Sequence, residues 1–404
     1  MTTLPFLPYG RQEIDEADIA AVTEVLRGDW LTCGPAVTRF EEALTARVDA
    51  PHAIACSSGT AALHLAALEL ELGPGDAVVV PSVTFLATAN AARFVGAEVI
   101  FADVDPATGL MGASHLEEAL ARVPAGLRPK ALFLVHLAGR ICPELPQLRA
   151  MATAHGMVVV EDACHALGSA MIFPTGEKTR AGDCQYSEMT VFSFHPVKTV
   201  AMGEGGALTT RSSDRHRRLT RLRAHGMTRD PADWFFPDQG LAPDGQPNPW
   251  YYEMPELGFN YRASDIHCAL GASQLAKLEA FARKRVELAQ NYDRLLAPFF
   301  PSVQTPEPHP GCEAAWHLYV IRVDFAVLGI PRAGFMARLR ERGVGSQVHY
   351  LPLHLQPYYH QRYGDLCLPG AETWYARCLS LPLYPGLSAA DQERVAEAVG
   401  SALA

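Results

Sequence analysis

Three features are scarce in this 404-residue chain, and each scarcity closes off a class of protein. No apolar run approaches the roughly 20 residues needed to cross a bilayer, so no membrane-spanning role is expected. Basic charge is short as well: 34 Lys and Arg stand against 44 Asp and Glu, a net charge of −10. A nucleic-acid binder would need a basic face, so nucleic acid is not an expected partner. The nine cysteines are scattered, odd in number and without a C-x-x-C pair. That pattern argues against a disulfide framework and against a zinc site. The start, Met1-Thr2-Thr3-Leu4-Pro5, lacks the charged and apolar regions of a signal peptide, so a reduced, cytoplasmic protein is the simplest expectation.

What the chain does have is apolar bulk. Hydrophobic residues make up 49% and charged residues only 19%, which suits a well-packed enzyme. Its length exceeds one hydrophobic core, so two domains are expected: residues 1–264 as an N-terminal segment and large domain, and 265–404 as a connecting helix and smaller C-terminal α/β domain.

From about residue 50 to 210, short apolar, β-branched runs alternate with helical patterns. The runs are Ala53–Cys56, Ala77–Val80, Val99–Phe101, Ala131–Val135, Met157–Val160, Thr190–Phe194 and Ala207–Thr210. Their spacing predicts β-α-β crossovers and a mostly parallel sheet, and their near-continuous apolarity predicts strands buried on both faces. Ligands of such sheets sit beyond the carboxyl ends of the strands.

Three polar clusters fall at such ends. Glu161-Asp162-Ala163-Cys164-His165 brings a carboxylate, Phe192-Ser193-Phe194-His195-Pro196-Val197-Lys198 brings an amine, and Ser57-Ser58-Gly59-Thr60 opens a helical pattern. An amine able to form a Schiff base and a carboxylate for a pyridinium nitrogen are what pyridoxal phosphate (PLP) asks of a protein. Free amides at a helix N-terminus would suit its phosphate. Lys198 is the candidate catalytic residue, and Asp162 the partner of the ring nitrogen. Each has a plainer alternative, since strand-end aspartates often cap helices and S-G-T often forms an ordinary cap. His165 could lie against the ring or be a structural histidine; Phe85 could cover the ring or pack in the core. Ser193 and His195 lie close enough in sequence to contact the cofactor. His349 and His354 have no carboxylate or cysteine at ligand spacing, so no metal is expected there.

Residues 229–257 are rich in both proline and aromatics, with Trp234, Phe235, Phe236, Trp250, Tyr251 and Tyr252. An ordered loop against a site or a partner subunit is expected rather than a linker. Beyond it, Leu275, Leu278, Phe281, Ala282, Ala289, Tyr292 and Leu295 predict one long amphipathic helix, with Lys277, Arg283, Lys284 and Arg285 on its solvated face.

Taken in order, Tyr9-Gly10-Arg11-Gln12, Leu31-Thr32, Ser58-Gly59-Thr60, Thr84-Phe85, Glu161-Asp162, Phe192–Lys198, Gly203–Gly206, Leu257–Arg262, Trp316-His317-Leu318-Tyr319 and Val348-His349-Tyr350 resemble the DegT/DnrJ/EryC1/StrS sugar aminotransferases. Within that family the resemblance is closest to the UDP-4-amino-4,6-dideoxy-N-acetyl-β-L-altrosamine transaminases of pseudaminic acid biosynthesis. It implies a fold type I PLP enzyme, α/β in class, cycling between PLP and the pyridoxamine form (PMP). L-glutamate would be the donor, and a UDP-linked 4-keto-6-deoxy-N-acetyl hexose the acceptor at C4. Lys198 would carry the cofactor, with Gly59, Thr60, Phe85, Asp162, His165, Ser193 and His195 around it. Asn260 would reach the phosphate from the other subunit of a homodimer with shared active sites. Tyr9, Trp30, Leu31, Thr32, His349 and Tyr350 would line the nucleotide-sugar pocket. Gly59 departs from the alanine more usual in that group. Another keto sugar aminated at C3, a keto-cyclitol, and a PLP-binding regulator without turnover remain the alternatives.

Overall fold

The computed structural model describes residues 5–403, so the start Met1-Thr2-Thr3-Leu4, read above for signal-peptide character, lies outside the described residues. All seven apolar runs are strands of one sheet: β1 (His52–Cys56), β2 (Asp76–Pro81), β3 (Glu98–Ala102), β4 (Arg128–Val135), β5 (Val158–Asp162), β6 (Met189–Ser193) and β7 (Gly206–Thr210). Their order is β3-β2-β4-β5-β6-β7-β1. The neighbours from β3 through β6 pair in parallel, whereas β7 runs antiparallel to both β6 and β1. Strand β2, Asp-Ala-Val-Val-Val-Pro, is buried throughout, as a strand covered on both faces should be.

The reversal at β7 has a local cause. The loop 194–205 folds back on itself, with Phe194 N–H donating to the Gly205 carbonyl at 2.9 Å and Met202 N–H to the Phe194 carbonyl at 2.8 Å. The chain therefore re-enters the sheet beside the strand it has just left, and the loop stays at the carboxyl end of β6.

Helices cover the sheet. Helix α1 (Glu16–Arg27) is opened by a capping box between Asp15 and Asp18; α2 (Pro35–Val48) follows. Both pack on the helix Asp265–Ala276, whose Asp265 carboxylate accepts from Gly34 and Ala36 N–H at 2.7 and 2.9 Å. Helix α3 (Gly59–Glu69) is buried almost all round, so its sequence is Ala- and Leu-rich and not amphipathic. Helix α4 (Leu86–Phe94) follows β2.

A second, smaller sheet joins Val303–Gln304, Tyr319–Val323 and Cys378–Leu381, all antiparallel. Its hydrophobic cluster draws on Leu288, Tyr292, Phe335, Leu339, Val395 and Val399, and also on Leu7 from the start of the chain. The expected long helix is Leu278–Leu296, and of the residues named for it only Leu275 falls on the preceding helix, Asp265–Ala276. They part at Lys277, whose ammonium pairs with Asp15 and Asp18. Arg285 corrects the expectation of a solvated face. It is 1% exposed and donates to the carbonyls of Trp316, His317 and Leu383. Among the described residues, no helix is long and apolar enough to cross a membrane.

One contact beneath the site depends on a missing side chain. A Cβ on Gly206 would fall 2.2 Å from the Ser58 carbonyl oxygen and 2.6 Å from Gly59 N. Both are backbone atoms and cannot swing aside. Gly206→Ala is expected to cost about 1–3 kcal/mol of stability, read as a lower urea midpoint than wild type.

Candidate active site

The first wall of the site is a helix end. Strand β1 leads through Ser57 and Ser58 into α3, and Ser58 Oγ accepts from Ala61 N–H at 3.1 Å. Ser58 is thus an N-cap, and with it in place the amides of Gly59 and Thr60 remain without intrahelical acceptors at the positive end of the helix. Gly59 is required by close approach: a Cβ there would lie 2.8 Å from Ser193 Cβ and 3.4 Å from Cys164 Sγ. Here Ser193 and Cys164 fill the space.

The second wall is the end of β5. Asp162 is 5% exposed; its Oδ2 accepts from Thr88 Oγ1 at 2.7 Å and its Oδ1 from Cys164 N–H at 3.1 Å. The third comes from β6, through Ser193 and the loop that carries Lys198. Burial lowers the Lys198 pKa from its ordinary value of 10.5, while the neighbouring Cys164 and Asp162 pull it the other way. The same burial raises the Cys164 thiol well above its ordinary range.

These walls enclose a cavity of about 590 Å³. Gly59, Thr60, Phe85, Asp162, His165 and Ser193 line it, as do His195, Lys198, Tyr9, His349 and Tyr350. Phe85, the N-cap of α4, is half exposed, its ring centroid 6.1 Å from that of Tyr350.

Around Lys198 stand three buried imidazoles. His165 Nδ1 accepts from Ala138 N–H at 3.3 Å, so its proton sits on Nε2, which donates to the Tyr350 hydroxyl oxygen at 3.1 Å. The Tyr350 proton is then free to point elsewhere. His165 therefore holds Tyr350 through an edge, a role that its sequence position did not suggest. His317 packs against His165 with ring centroids 4.4 Å apart. Burial drives both far below the usual imidazole pKa. His349, bonded to Ser380 Oγ at 2.7 Å, is lowered to about 3 by burial and by Lys198. His354 is not beside it in function: it bonds to Ser82 Oγ at 2.7 Å and belongs to the packing under the cavity.

Trp30, Leu31, Thr32 and Asn260 do not line the cavity of the single chain. All are exposed; Thr32 bridges to Ser264, and Asn260 bridges to Ala224. The aromatic segment is ordered, as expected. Thr228 pairs with Glu253, and the Glu253 carboxylate accepts from the amides of Phe235 and Phe236 and from Tyr251 Oη. Trp234 is buried against Tyr251, yet Phe235 is 79% and Trp250 70% exposed.

Sequence reasoning missed Thr88, Cys164, Glu204, His317, Gln347 and Gln356 on the cavity wall. Glu204 and His317 stand inside segments that carried the family resemblance and Gln347 adjoins one, so membership of a motif was the signal that could have found them. Thr88 gave none, because a threonine in a helical run looks like any other.

The pattern of the DegT/DnrJ/EryC1/StrS aminotransferase family matches residues 12–400. The chain belongs to this family. It is 37% identical over 397 residues to the spore coat polysaccharide biosynthesis protein SpsC of Bacillus subtilis, covering 98% of this chain and 96% of that one. Among solved structures, the aminotransferase TlmJ of Streptoalloteichus hindustanus superposes with a TM-score of 0.85 at 30% identity, covering 98% of both chains. Helicobacter pylori PseC, an aminotransferase of pseudaminic acid biosynthesis, gives 0.86 at 28% identity, covering 98% of this chain and 99% of that one. The fold is that of the type I PLP aminotransferases. A sugar aminotransferase of Streptococcus pneumoniae with the same fold is solved in PLP and PMP forms, and PLP is the cofactor of this class of enzyme. The cavity fits it: a helix N-terminus with spare amides suits a phosphate, and a carboxylate held by two donors suits a pyridinium nitrogen.

The depressed His349 pKa has a consequence for stability. Below about pH 6.5 the unfolded chain binds a proton at this histidine that the folded chain refuses down to about pH 3. Its contribution is therefore complete above pH 6.5 and is lost as pH falls through that window. Replacing it with a group that does not titrate removes that loss. His349→Asn should narrow the difference in unfolding free energy between pH 7 and pH 5 by about 2 kcal/mol, measured by urea denaturation at the two pH values.

Proposed function

We propose that this sugar aminotransferase moves an amino group from L-glutamate to C4 of a UDP-linked 4-keto-6-deoxy-N-acetyl hexose, with Lys198 as the catalytic residue. The observation that carries this is the meeting of Lys198, Asp162 and the N-terminus of α3 in one cavity at the carboxyl ends of β6, β5 and β1. PLP, when bound, supplies an electron sink that stabilises negative charge on the carbon bearing the amine.

The rest is work for the chain's own side chains. The amides of Gly59 and Thr60 hold the phosphate, joined by Ser193 and His195. Asp162 keeps a proton on the ring nitrogen, Phe85 covers the ring, and His165 fixes Tyr350 at the edge of the cavity. Lys198, its pKa lowered by burial, offers an uncharged amine more readily than a surface lysine does. Its free amine would take the proton from the donor carbon and later return one to the acceptor carbon. Glutamate leaves as 2-oxoglutarate after giving up its amine. Tyr9, His349, Tyr350, Gln347 and Gln356 supply hydrogen-bonding groups for a hydroxyl-rich acceptor.

The likeness to PseC supports the pseudaminic acid type of substrate. The likeness to SpsC favours a second reading, a different keto sugar of polysaccharide synthesis aminated by the same residues. Trp30, Leu31, Thr32 and Asn260 are exposed and outside the cavity of one chain, which suits a homodimer in which each chain completes its partner's cavity.

Lys198→Ala is expected to abolish turnover while leaving the fold intact by circular dichroism. With wild type converted to the PMP form by glutamate and freed of donor, keto sugars added singly identify the acceptor. Recovery of the PLP absorbance with UDP-4-keto-6-deoxy-N-acetyl-β-L-altrosamine alone supports the C4 assignment, and recovery only with another keto sugar or a keto-cyclitol replaces it. Mixing Lys198→Ala with Asn260→Ala subunits tests the shared site. The Lys198→Ala parent is expected to be inactive and the Asn260→Ala parent weak, and the mixed dimers should regain a fraction of wild-type activity.

A further inference from the structure

Asp162 is bonded on both oxygens before any ligand arrives, and one of the two donors belongs to a helix that also carries a ring-covering side chain. An ionised carboxylate can only accept, so in the 2.7 Å contact the proton belongs to Thr88 Oγ1 and points at Asp162 Oδ2. Thr88 has then spent its one donor, so in the 2.9 Å contact between Thr84 Oγ1 and Thr88 Oγ1 the proton is Thr84's. The result is a one-way chain of hydroxyls, Thr84 to Thr88 to Asp162. All three residues are buried, at 2%, 0% and 5% exposure. On the other side, Cys164 N–H fixes Oδ1 from the backbone.

Two donors on different oxygens fix the carboxylate plane; one alone leaves it free to turn about its Cβ–Cγ bond. The backbone donor survives any side-chain change, so the plane depends on Thr88. Thr88 stands three residues after Phe85, which places the two on one face of the first turn of α4.

We propose that Thr88 is a positioning residue for the cofactor: its hydroxyl, polarised by Thr84, holds the Asp162 carboxylate in the orientation that receives the pyridine nitrogen, and α4 thereby sets both the covered face of the ring and its nitrogen contact. This rests on the assignment of Asp162 to that nitrogen made above.

The test is cofactor binding, read by absorbance and by the rise in melting temperature on adding PLP, with no substrate present. Thr88→Val keeps the shape and removes the donor, and Thr88→Ser keeps the donor and removes a methyl. Thr88→Val is expected to weaken PLP binding on the order of tenfold, as loss of a hydrogen bond to a charged group does. Thr88→Ser should bind within about twofold of wild type on the same ground; because Thr88→Val also removes a partner of a buried carboxylate, its PLP-free form should melt lower, and the PLP-induced rise is read against each variant's own baseline. Thr84→Val, one bond further out, should shift binding in the same direction by less. Wild-type affinity and spectrum in Thr88→Val would overturn the proposal, as would equal losses in the valine and serine variants. Should Thr88→Val not fold, Thr88→Ala against Thr88→Ser reads the same difference. A wild type that binds no PLP defeats the assignment of Asp162 itself; a wild type that binds it, beside an unaffected Thr88→Val, defeats only the role of Thr88.

Discussion

A carboxylate and an amine share one desolvated cavity, and most of the surrounding structure serves that arrangement. Burying Asp162 without partners would be costly, and Thr88 Oγ1 and Cys164 N–H answer that cost directly. Lys198 meets the same environment with a lowered pKa instead. Both positions follow from sheet order. Strands β5 and β6 are neighbours, so Asp162 and Ser193 leave the sheet side by side, and the return of β7 keeps the loop carrying Lys198 over the same edge. The helix end that completes the cavity can approach only because Gly206 and Gly59 lack side chains, with Ser58 and Ser193 in the spaces these would fill.

How much of this was legible depended on whether the signal was local. The strand runs were, because burial on both faces writes itself as uninterrupted apolar sequence, and all seven reappear as strands of one sheet. The three strand-end clusters were also legible, since parallel topology sends their polar residues to one edge. The direction of β7 was not, because it is set by backbone bonds between Phe194, Met202 and Gly205 that any side chains could make. Arg285 defeated the pattern for a related reason. Its partners are carbonyls of Trp316, His317 and Leu383, distant in sequence, and a buried arginine has the same letter as a solvated one. Thr88 was invisible in the same way, a helical residue whose partner Asp162 lies at the end of β5.

The imidazoles around Lys198 show how a cluster that could become cationic is kept neutral. His165, His317 and His349 are each depressed first by burial, and Lys198 lowers each of them further. A protonated imidazole here would in turn push the amine down and compete with it for an anionic ligand. Neutrality also fixes hydrogen-bond direction: His165 must accept from Ala138 N–H and donate to Tyr350, so the phenol proton is left for whatever enters the cavity. The N-terminus of α3 and Lys198 are then anion-attracting features of the cavity, on separate walls.

That separation bears on the residues that do not line the cavity of one chain. Tyr261 ties its segment to the site: its carbonyl accepts from Ser57 N–H at 2.8 Å and its hydroxyl bonds to His64 on α3. Asn260, the next residue back, is nonetheless exposed, as are Trp30 and Leu31 across the bridge from Thr32 to Ser264. A rigidly anchored segment that turns an amide and large apolar side chains to the surface gains nothing for its own cavity, and leaving such apolar groups in water forgoes the stabilisation of burying them. Phe235 and Trp250 are exposed as well, on a segment held in place by Glu253. Apolar side chains held in place yet left in water are groups whose burial would cost little further conformational freedom.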